Sequence, residues 1–351
     1  MAQLMVEPTV SDALSAWMCP LSNTGSVEPR FGVVPAVMGA SAASGYELEL
    51  LLNDLAAKFM VQLDASGEAR SDALVALQHS NLVLQCAVSP EGDLEVHGPM
   101  KGPGLVPGLA FNPLGCRAVQ LALDVADRSV AAELASRLRG QVAAAIDSPH
   151  ANYVIQKVIK VLTLQEVPFI IEELRNFGLV LARHEYGCRI FCRLLEHAAG
   201  NEGTNQMVES ILPETRDLVF HEYGHHVIES VLEHGFYHQK AHIVAELRKG
   251  LLRNAKVRSV AFVIEKALLY SGKTDQQALV SDFTAFSEDE MAALAKNRFG
   301  CMVLRALLRT SSEVMKPRLM GPSVLPRLKA TKHGKHVLSE GGLSDLLNAT
   351  D

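Results

Sequence analysis

The residues His221, Glu222 and His225 spell HExxH, the signature of zinc proteases. That chemistry needs both histidines on one face of a helix, with the glutamate placed as a base beside the metal. However, residues 184–188 read HEYGC where residues 221–225 read HEYGH, so cysteine replaces the second histidine. A repeated sequence explains the motif better than a metal site does, and we expect no protease here.

A second candidate metal site consists of His184, Cys188 and Cys192, which stand at positions i, i+4 and i+8. No fourth ligand is evident, and the repeat again explains the spacing. A disulfide between Cys188 and Cys192 within one helix would have poor geometry. The chain also contains no Walker loop, no GxGxxG and no supported Ser/His/Asp arrangement. We therefore expect no metal, no other cofactor and no enzyme activity.

The repeat that accounts for both motifs runs through most of the chain. Its seven segments are GCRAVQ (115–120), ANYVIQ (151–156), GCRIFC (187–192), GHHVIE (224–229), AFVIE (261–265), GCMVLR (300–305) and GKHVLS (334–339). The anchor residues of these segments are Cys116, Asn152, Cys188, His225, Ala261, Cys301 and Lys335. The steps between the anchors are 36, 36, 37, 36, 40 and 34 residues. A nearly fixed period of this length is typical of a stacked repeat array.

Each segment also has a regular internal pattern. After the anchor come a polar or aromatic residue, two apolar residues and then often Gln or Glu. On a helix, residues i and i+4 share one face, and residue i+1 lies beside them. The pattern therefore predicts two apolar residues buried between neighbouring helices. The other three residues are predicted to form a ladder of exposed triads along one side of the array.

The segments resemble Pumilio/PUF repeats, most clearly in YGCRIFCRLLEHA (186–198), HEYGHHVIESVLEHG (221–235), SPHANYVIQKVI (148–159) and KHGKHVL (332–338). The resemblance covers about residues 110–340. It implies an all-α, right-handed superhelical solenoid of three-helix repeats, each about 36 residues long. It also implies that single-stranded RNA is read at one base per repeat.

In this family the first and last triad residues contact the base edge, and the middle residue stacks between bases. The resemblance implies that Cys116, Arg117 and Gln120 read adenine and that Asn152, Tyr153 and Gln156 read uracil. Because the array runs antiparallel to RNA in this family, these two triads would read 5′-UA-3′.

The later triads depart from the family pattern. The RNA-contacting residues carried over from them are Cys188, Arg189, Cys192, His225, His226, Glu229, Phe262, Glu265 and Arg305. Cys192 replaces the expected glutamine, and a thiol is a weak hydrogen-bond partner. Ala261 lacks the first polar contact. Cys301 and Met302 leave no clear base readers, so Arg305 is expected to contact a phosphate instead.

The N-terminal third carries weaker patterns. Residues 1–45 are expected to be flexible, and residues 46–108 are expected to supply helices at 45–63 and 71–78 that cap the array. Asn81 and Gln85 fit a further, degenerate repeat, but residues 82–98 fit a strand–turn–strand equally well. The Gly/Pro-rich stretch 98–108 is the expected boundary, with the repeat array at 109–351.

Charge is unevenly distributed along the chain. Residues 1–110 hold 4 Lys and Arg against 12 Asp and Glu, a net charge of −8, whereas residues 111–351 carry +2. Such a mildly basic array suits base stacking better than tight, phosphate-driven binding. Six cysteines without a disulfide framework indicate a reducing compartment. We expect the cytoplasm, since no secretory signal or membrane span is evident; a nuclear or organellar location stays open.

The sequence thus predicts selective binding of single-stranded RNA, with mRNA untranslated regions as the expected targets. It also predicts post-transcriptional control through recruited proteins. The convex face and the longer insert at 271–296 are the expected recruitment surface. Two alternatives stay open. One is an RNA scaffold in ribosome biogenesis with little base selectivity, and the other is a protein-interaction solenoid that has lost RNA binding.

Overall fold

The computed structural model describes residues 86–88, 94–96, 105–113 and 115–340. All of these belong to the second of two units into which the chain divides, residues 44–351. Strands β1 (Cys86–Val88) and β2 (Leu94–Val96) pair antiparallel, with Ala87 opposite Glu95. The strand–turn–strand interpretation is therefore confirmed for this stretch. The expected flexible segment 1–45, the helices at 45–63 and 71–78, and Asn81 and Gln85 lie outside the described residues.

Helices follow one another in sets of three after the strands. The first three sets are α1 (Leu105–Ala110), α2 (Gly115–Val125) and α3 (Arg128–Ser136); α4 (Val142–Asp147), α5 (Ala151–Val161) and α6 (Pro168–Leu174); and α7 (Gly178–Arg183), α8 (Gly187–Ala198) and α9 (Glu202–Ile211). A 3₁₀ turn (Leu212–Glu214) precedes α10 (Thr215–Leu218), α11 (Gly224–His234) and α12 (Tyr237–Arg248), which are followed by α13 (Leu251–Asn254), α14 (Arg258–Tyr270) and α15 (Lys273–Thr284). The last helices are α16 (Glu288–Lys296), α17 (Arg298–Leu319), α18 (Leu325–Lys329) and α19 (Lys332–Glu340). The repeat region is an all-α solenoid, as predicted.

The recurring segments all lie on the second helix of their set, which we call the motif helix. The motif helices are α2, α5, α8, α11, α14, α17 and α19. Consecutive motif helices in this series pack against each other. The paired apolar residues of the motif are fully buried in these contacts, for example Val154 and Ile155 on α5 and Val227 and Ile228 on α11. Burial of this stripe against two neighbours is what joins the repeats into one core.

A close contact fixes where each motif helix begins. A β-carbon added at Gly300 would lie 2.3 Å from the Leu294 carbonyl oxygen, and one at Gly224 would lie 2.7 Å from the Leu218 side chain. Equivalent contacts join Gly115 to Leu109, Gly187 to Leu181 and Gly334 to Leu328. The glycine of the motif is therefore required because the helix start lies directly on a leucine six residues earlier.

The second repeat solves the same packing problem with different residues. Ala151 replaces the glycine, and Ala145 stands where the five repeats that contain this glycine place leucine. Both alanines are buried. The extra methyl group on one side is thus matched by a smaller residue on the other, as close packing in a core demands.

Each motif helix also needs partners for its first N–H groups, and in six of the seven repeats a side chain three residues before the small residue supplies them. Asn297 Oδ1 accepts from the N–H groups of Phe299 at 2.9 Å and Gly300 at 3.0 Å. The same role falls to Asn112, Ser148, His184, His221 and Thr331. This capping position was not recognised in the sequence.

The 40-residue step before Cys301 has a simple structural cause. Residues 271–296 form no extended insert, because they fold into α15 and the long first helix α16. Ser287 begins α16 with a reciprocal capping box, in which its hydroxyl and the Glu290 carboxylate bond each other's backbone N–H groups. The expected recruitment loop is therefore helical. In α17, non-helical backbone at Ser311 separates the motif helix from the third helix of this repeat.

No helix in the described part of the chain combines the length and apolar character that crossing a membrane requires.

The substitution Gly300→Ala is expected to lower the free energy of unfolding by roughly 1–3 kcal/mol, because overpacking a tight contact forces the backbone to shift. Thermal or urea unfolding of the purified chain measures this. Gly200→Ala is the matched control, since a β-carbon there meets nothing within 4 Å. Equal stability of the two variants would contradict the proposed role of the glycine.

Candidate nucleic-acid interface

The middle residues of the triads form a ladder across successive motif helices. Arg117 is exposed, and the others are half-buried: Tyr153, Arg189, His226, Phe262 and Met302. Neighbouring members can touch, because Arg189 Nη1 donates a hydrogen bond to the Tyr153 hydroxyl at 3.2 Å. The ladder offers rings and a guanidinium plane at one-repeat intervals, which is the geometry that stacking on successive bases requires.

The first triad residue is buried in five of the seven repeats, so the predicted exposure of all three members is wrong for those repeats. The first triad residues that are at most 4% exposed are Cys116, Asn152, Cys188, Ala261 and Cys301. They stand in the first turn of the motif helix, and the polar ones bond to main-chain carbonyls. The Asn152 Nδ2 atom donates to the Ser148 carbonyl at 2.7 Å, and the Cys188 thiol donates to the Glu185 carbonyl at 3.2 Å.

The glutamines of the first two triads are held by the residue one turn earlier. Gln156 Nε2 donates to Asn152 Oδ1 at 2.9 Å, and Gln120 Nε2 donates to the Cys116 carbonyl at 3.0 Å. Residues four apart share a helix face, which explains both bonds. The two amides of the second triad are thus oriented relative to each other by a hydrogen bond within the protein.

The third triad carries two thiols in place of amides. The Cys192 thiol lies 3.6 Å from the His226 carbonyl oxygen on the next motif helix. Burial raises the pKa of Cys192 well above its usual value and raises that of Cys188 to about 11. Both groups therefore stay protonated at neutral pH and offer only weak hydrogen bonds.

The fourth triad, His225, His226 and Glu229, brings three ionisable groups together at the start of α11. The imidazole centroids lie 3.9 Å apart, and Glu229 Oε1 lies 3.9 Å from His225 Nε2 and 3.7 Å from His226 Nδ1. His225 Nδ1 lies 2.7 Å from the His221 carbonyl oxygen. Only 8% of the Glu229 side chain is exposed.

Burial sets the protonation of this triad. Burial, reinforced by the nearby charges of His225 and Arg189, lowers the pKa of His226 to about 4, and burial lowers that of His225 as well. Burial raises the pKa of Glu229 to about 8, with Lys266 acting in the opposite direction. At neutral pH the three groups are therefore mostly uncharged in the free protein.

In the last two triads the polar atoms are engaged within the protein. The Glu265 carboxylate forms an ion pair with Arg309 on the next motif helix, and Ala261 supplies no polar atom. The Cys301 thiol donates to the His333 carbonyl at 3.0 Å. Arg305 is half-buried one helical turn later. These triads present fewer groups to a base than the first two.

The two metal motifs considered from the sequence do not form as such. His221 and His184 precede their motif helices, and each uses Nδ1 to accept N–H bonds that cap the helix. His221 and His225 therefore do not share one continuous helix, and the repeat register accounts for HExxH. The triad pattern predicts that His225, His226 and Glu229 share one side of the helix, but it does not indicate that a buried Glu229 Oε1 lies within 3.9 Å of both imidazoles.

Comparison with known proteins gives one family. A model described as "Pumilio-family RNA binding repeat" matches residues 106–134, 148–175, 179–212 and 216–248. A Pumilio domain-containing protein of Schizosaccharomyces pombe is 25% identical over 241 residues, which cover 68% of this chain and 35% of that protein. Fem-3 mRNA-binding factor 2 of Caenorhabditis elegans is 25% identical over 46% of this chain and 29% of its own length.

Solved structures agree on the fold. The structure of PUF-8 in complex with PBE-RNA matches with a TM-score of 0.58 and 24% identity, over 67% of this chain and 70% of that one. The Puf3 RNA binding domain bound to Cox17 RNA matches with a TM-score of 0.62 and 20% identity, over 84% of each chain. This chain spans between 22% and 46% of the length of the curated relatives it matches.

The substitution Glu229→Gln is expected to stabilise the free protein, because it removes a buried carboxyl that must stay protonated. Because the folded-state pKa of Glu229 is raised to about 8, the carboxyl ionises more readily in the unfolded chain, and its contribution to the free energy of unfolding of the wild type falls as the pH rises. The advantage of the variant should therefore grow between about pH 4.5, where the unfolded carboxyl ionises, and pH 8, and then level off.

Urea unfolding of both proteins at several pH values measures this difference. Glu202→Gln, at an exposed residue on α9, is the matched control and should show no such trend. An advantage of Glu229→Gln that does not change with pH would show that Glu229 is not buried in its neutral form.

Proposed function

Because this chain belongs to the Pumilio family of RNA-binding repeat proteins, we propose that it binds single-stranded RNA selectively and regulates mRNA after transcription. The role is one of binding rather than catalysis. A relative named as an mRNA-binding factor supports mRNA as the target class. The effect on translation or stability would come from recruited proteins that bind the surface away from the triads. The cytoplasm is the proposed location.

The observation that carries this proposal is the second triad. Asn152 and Gln156 are joined by a hydrogen bond, and Tyr153 stands beside them within reach of Arg189 from the next repeat. Two oriented amides next to a ring match what a base needs, namely donors and acceptors along its edge and a plane to stack on. We assign uracil to this triad and adenine to Cys116, Arg117 and Gln120, which gives 5′-UA-3′.

A second candidate function is an RNA scaffold with little base selectivity. It is favoured by the ion pair between Glu265 and Arg309 and by the bond from Cys301 to the His333 carbonyl. Polar atoms that are already engaged inside the protein are less available to discriminate bases. In this alternative the later repeats would contact the RNA backbone.

Selection from a random single-stranded RNA pool tests base reading. The wild-type chain is expected to enrich a motif containing UA, and Asn152→Cys is expected to change the U to A at that position alone. Cysteine already occupies the equivalent position in the neighbouring repeats as Cys116 and Cys188, so the substitution suits the fold. A motif that stays the same in the variant would contradict one-base reading by this triad.

Other results of the same selection separate the alternatives. RNA binding without any enriched motif would support the scaffold. Failure to bind RNA even at low salt would remove the proposal and leave the protein-interaction solenoid. Salt must be fixed throughout, because phosphate contacts make affinity depend on it.

The stacking role of Tyr153 has its own test. Tyr153→Ala is expected to weaken binding of the selected RNA by about 5- to 100-fold, in line with ~1–3 kcal/mol per stacked base. Tyr153→Phe keeps the ring and removes only the hydroxyl that Arg189 contacts, so its affinity should stay close to that of the wild type. A titration monitored by fluorescence anisotropy measures both. Equal losses in the two variants would show that the hydroxyl, and not the ring, matters.

A further inference from the structure

The fourth triad has two polar atoms that face each other without bonding. Within the part of the chain that the structure describes, neither His226 Nδ1 nor Glu229 Oε1 has a hydrogen-bond partner, and both atoms are buried. Their separation of 3.7 Å is too long for a hydrogen bond. Buried polar atoms are nearly always satisfied in folded proteins, so a pair of this kind calls for a partner that lies between them.

His225 completes the arrangement. Its Nδ1 lies 2.7 Å from the His221 carbonyl oxygen, which can only accept, so Nδ1 carries the proton and Nε2 keeps its lone pair. A histidine that binds a metal almost always donates its other ring N–H in this way. The His225 Nε2 atom, which carries this lone pair, lies 3.9 Å from Glu229 Oε1.

The donor set and spacing fit one class of ligand. One atom from each of the three side chains lies within 4.8 Å of the others. Bonds of about 2.0–2.1 Å in a tetrahedral site place donor atoms about 3.3 Å apart, so small side-chain rotations would close the triad around an ion. Two imidazoles and a carboxylate suit zinc and similar transition metals better than magnesium or calcium.

We propose that His225, His226 and Glu229 form a binding site for one divalent transition metal ion of the zinc class, with water completing the coordination. The His226 side chain, of which 35% is accessible, gives the ion access from solvent. The site differs from HExxH, because it uses His225 with the two residues that follow it on α11 and gives His221 only a supporting carbonyl.

Charges around the triad act in both directions. Arg189 and Arg258 place positive charge near the imidazoles, and Lys266 does so near Glu229. Lys266 is itself bonded to Glu233 at 2.5 Å, which offsets its charge. Glu233 and Glu265 add negative charge near Glu229. The surroundings are therefore nearly balanced, and the ligands themselves decide the affinity.

The test is a zinc titration of the full chain, free of RNA and of any histidine tag, against a chromophoric chelator. The wild type is expected to bind one equivalent of zinc. Glu229→Gln and His226→Gln should each bind at least about 10-fold more weakly, since loss of even an outer-shell partner has that effect. Cobalt substitution should give the visible absorption of a four-coordinate site in the wild type only.

Controls separate this site from other histidines and from misfolding. His238→Gln alters a histidine that lies 2.8 Å from Glu209 without the other two donors, and it should bind zinc as the wild type does. Circular dichroism establishes that each variant is folded. Absence of saturable binding, or binding that Glu229→Gln leaves unchanged and Cys192→Ser removes, would overturn the proposal.

A bound ion would occupy the atoms that the fourth triad would offer to a base. If the proposed function holds, saturating zinc should therefore weaken RNA binding by the wild type and not by Glu229→Gln. This consequence rests on the proposed function, whereas the titration without RNA does not. The metal-site proposal and the RNA-binding proposal can therefore be contradicted independently of each other.

Discussion

The packing of each motif helix between two others is the constraint on which the rest of this structure depends. No single repeat can bury its apolar stripe, so residues such as Val154 and Ile155 become core only when the neighbouring helices cover them. In five of the seven repeats a close contact between glycine and leucine sets how the motif helix begins, and in six a capping side chain bonds its first N–H groups. Together these contacts place the same side of successive motif helices on the same face of the array.

This packing has a consequence for the triads. The first residue is drawn into the helix start and buried, so its polar atom must find a partner inside the protein. In the second repeat Asn152 bonds Ser148 and Gln156, which leaves the triad satisfied and oriented. In the sixth repeat Cys301 bonds a carbonyl of the next motif helix. The repeats therefore meet the same geometric demand with different hydrogen-bond partners.

Much of this arrangement could be predicted from the sequence. The period located all seven motif helices, and the apolar pairs within the motif were correctly expected to be core. The burial of the first triad residue could not be predicted, because it follows from how neighbouring helices pack and not from the local pattern. The capping role of His184 and His221 could not be predicted either, since asparagine, serine and threonine fill that position in the other capped repeats. The extra residues before Cys301 resembled an insert because length alone does not distinguish a loop from a longer helix.

In the fourth repeat this packing leaves two buried polar atoms, His226 Nδ1 and Glu229 Oε1, without a hydrogen-bond partner among the described residues. The first and third positions of this repeat hold His225 and Glu229, which are too far apart to bond each other at 3.9 Å. His226 adds its buried nitrogen, Nδ1, beside the same buried carboxyl oxygen. In the second repeat the residue at the position of Glu229 is Gln156, which bonds to Asn152 one turn earlier. The acidic side chain therefore ties the stability of the fourth repeat to whether Glu229 carries a proton, because burial raises its pKa to about 8.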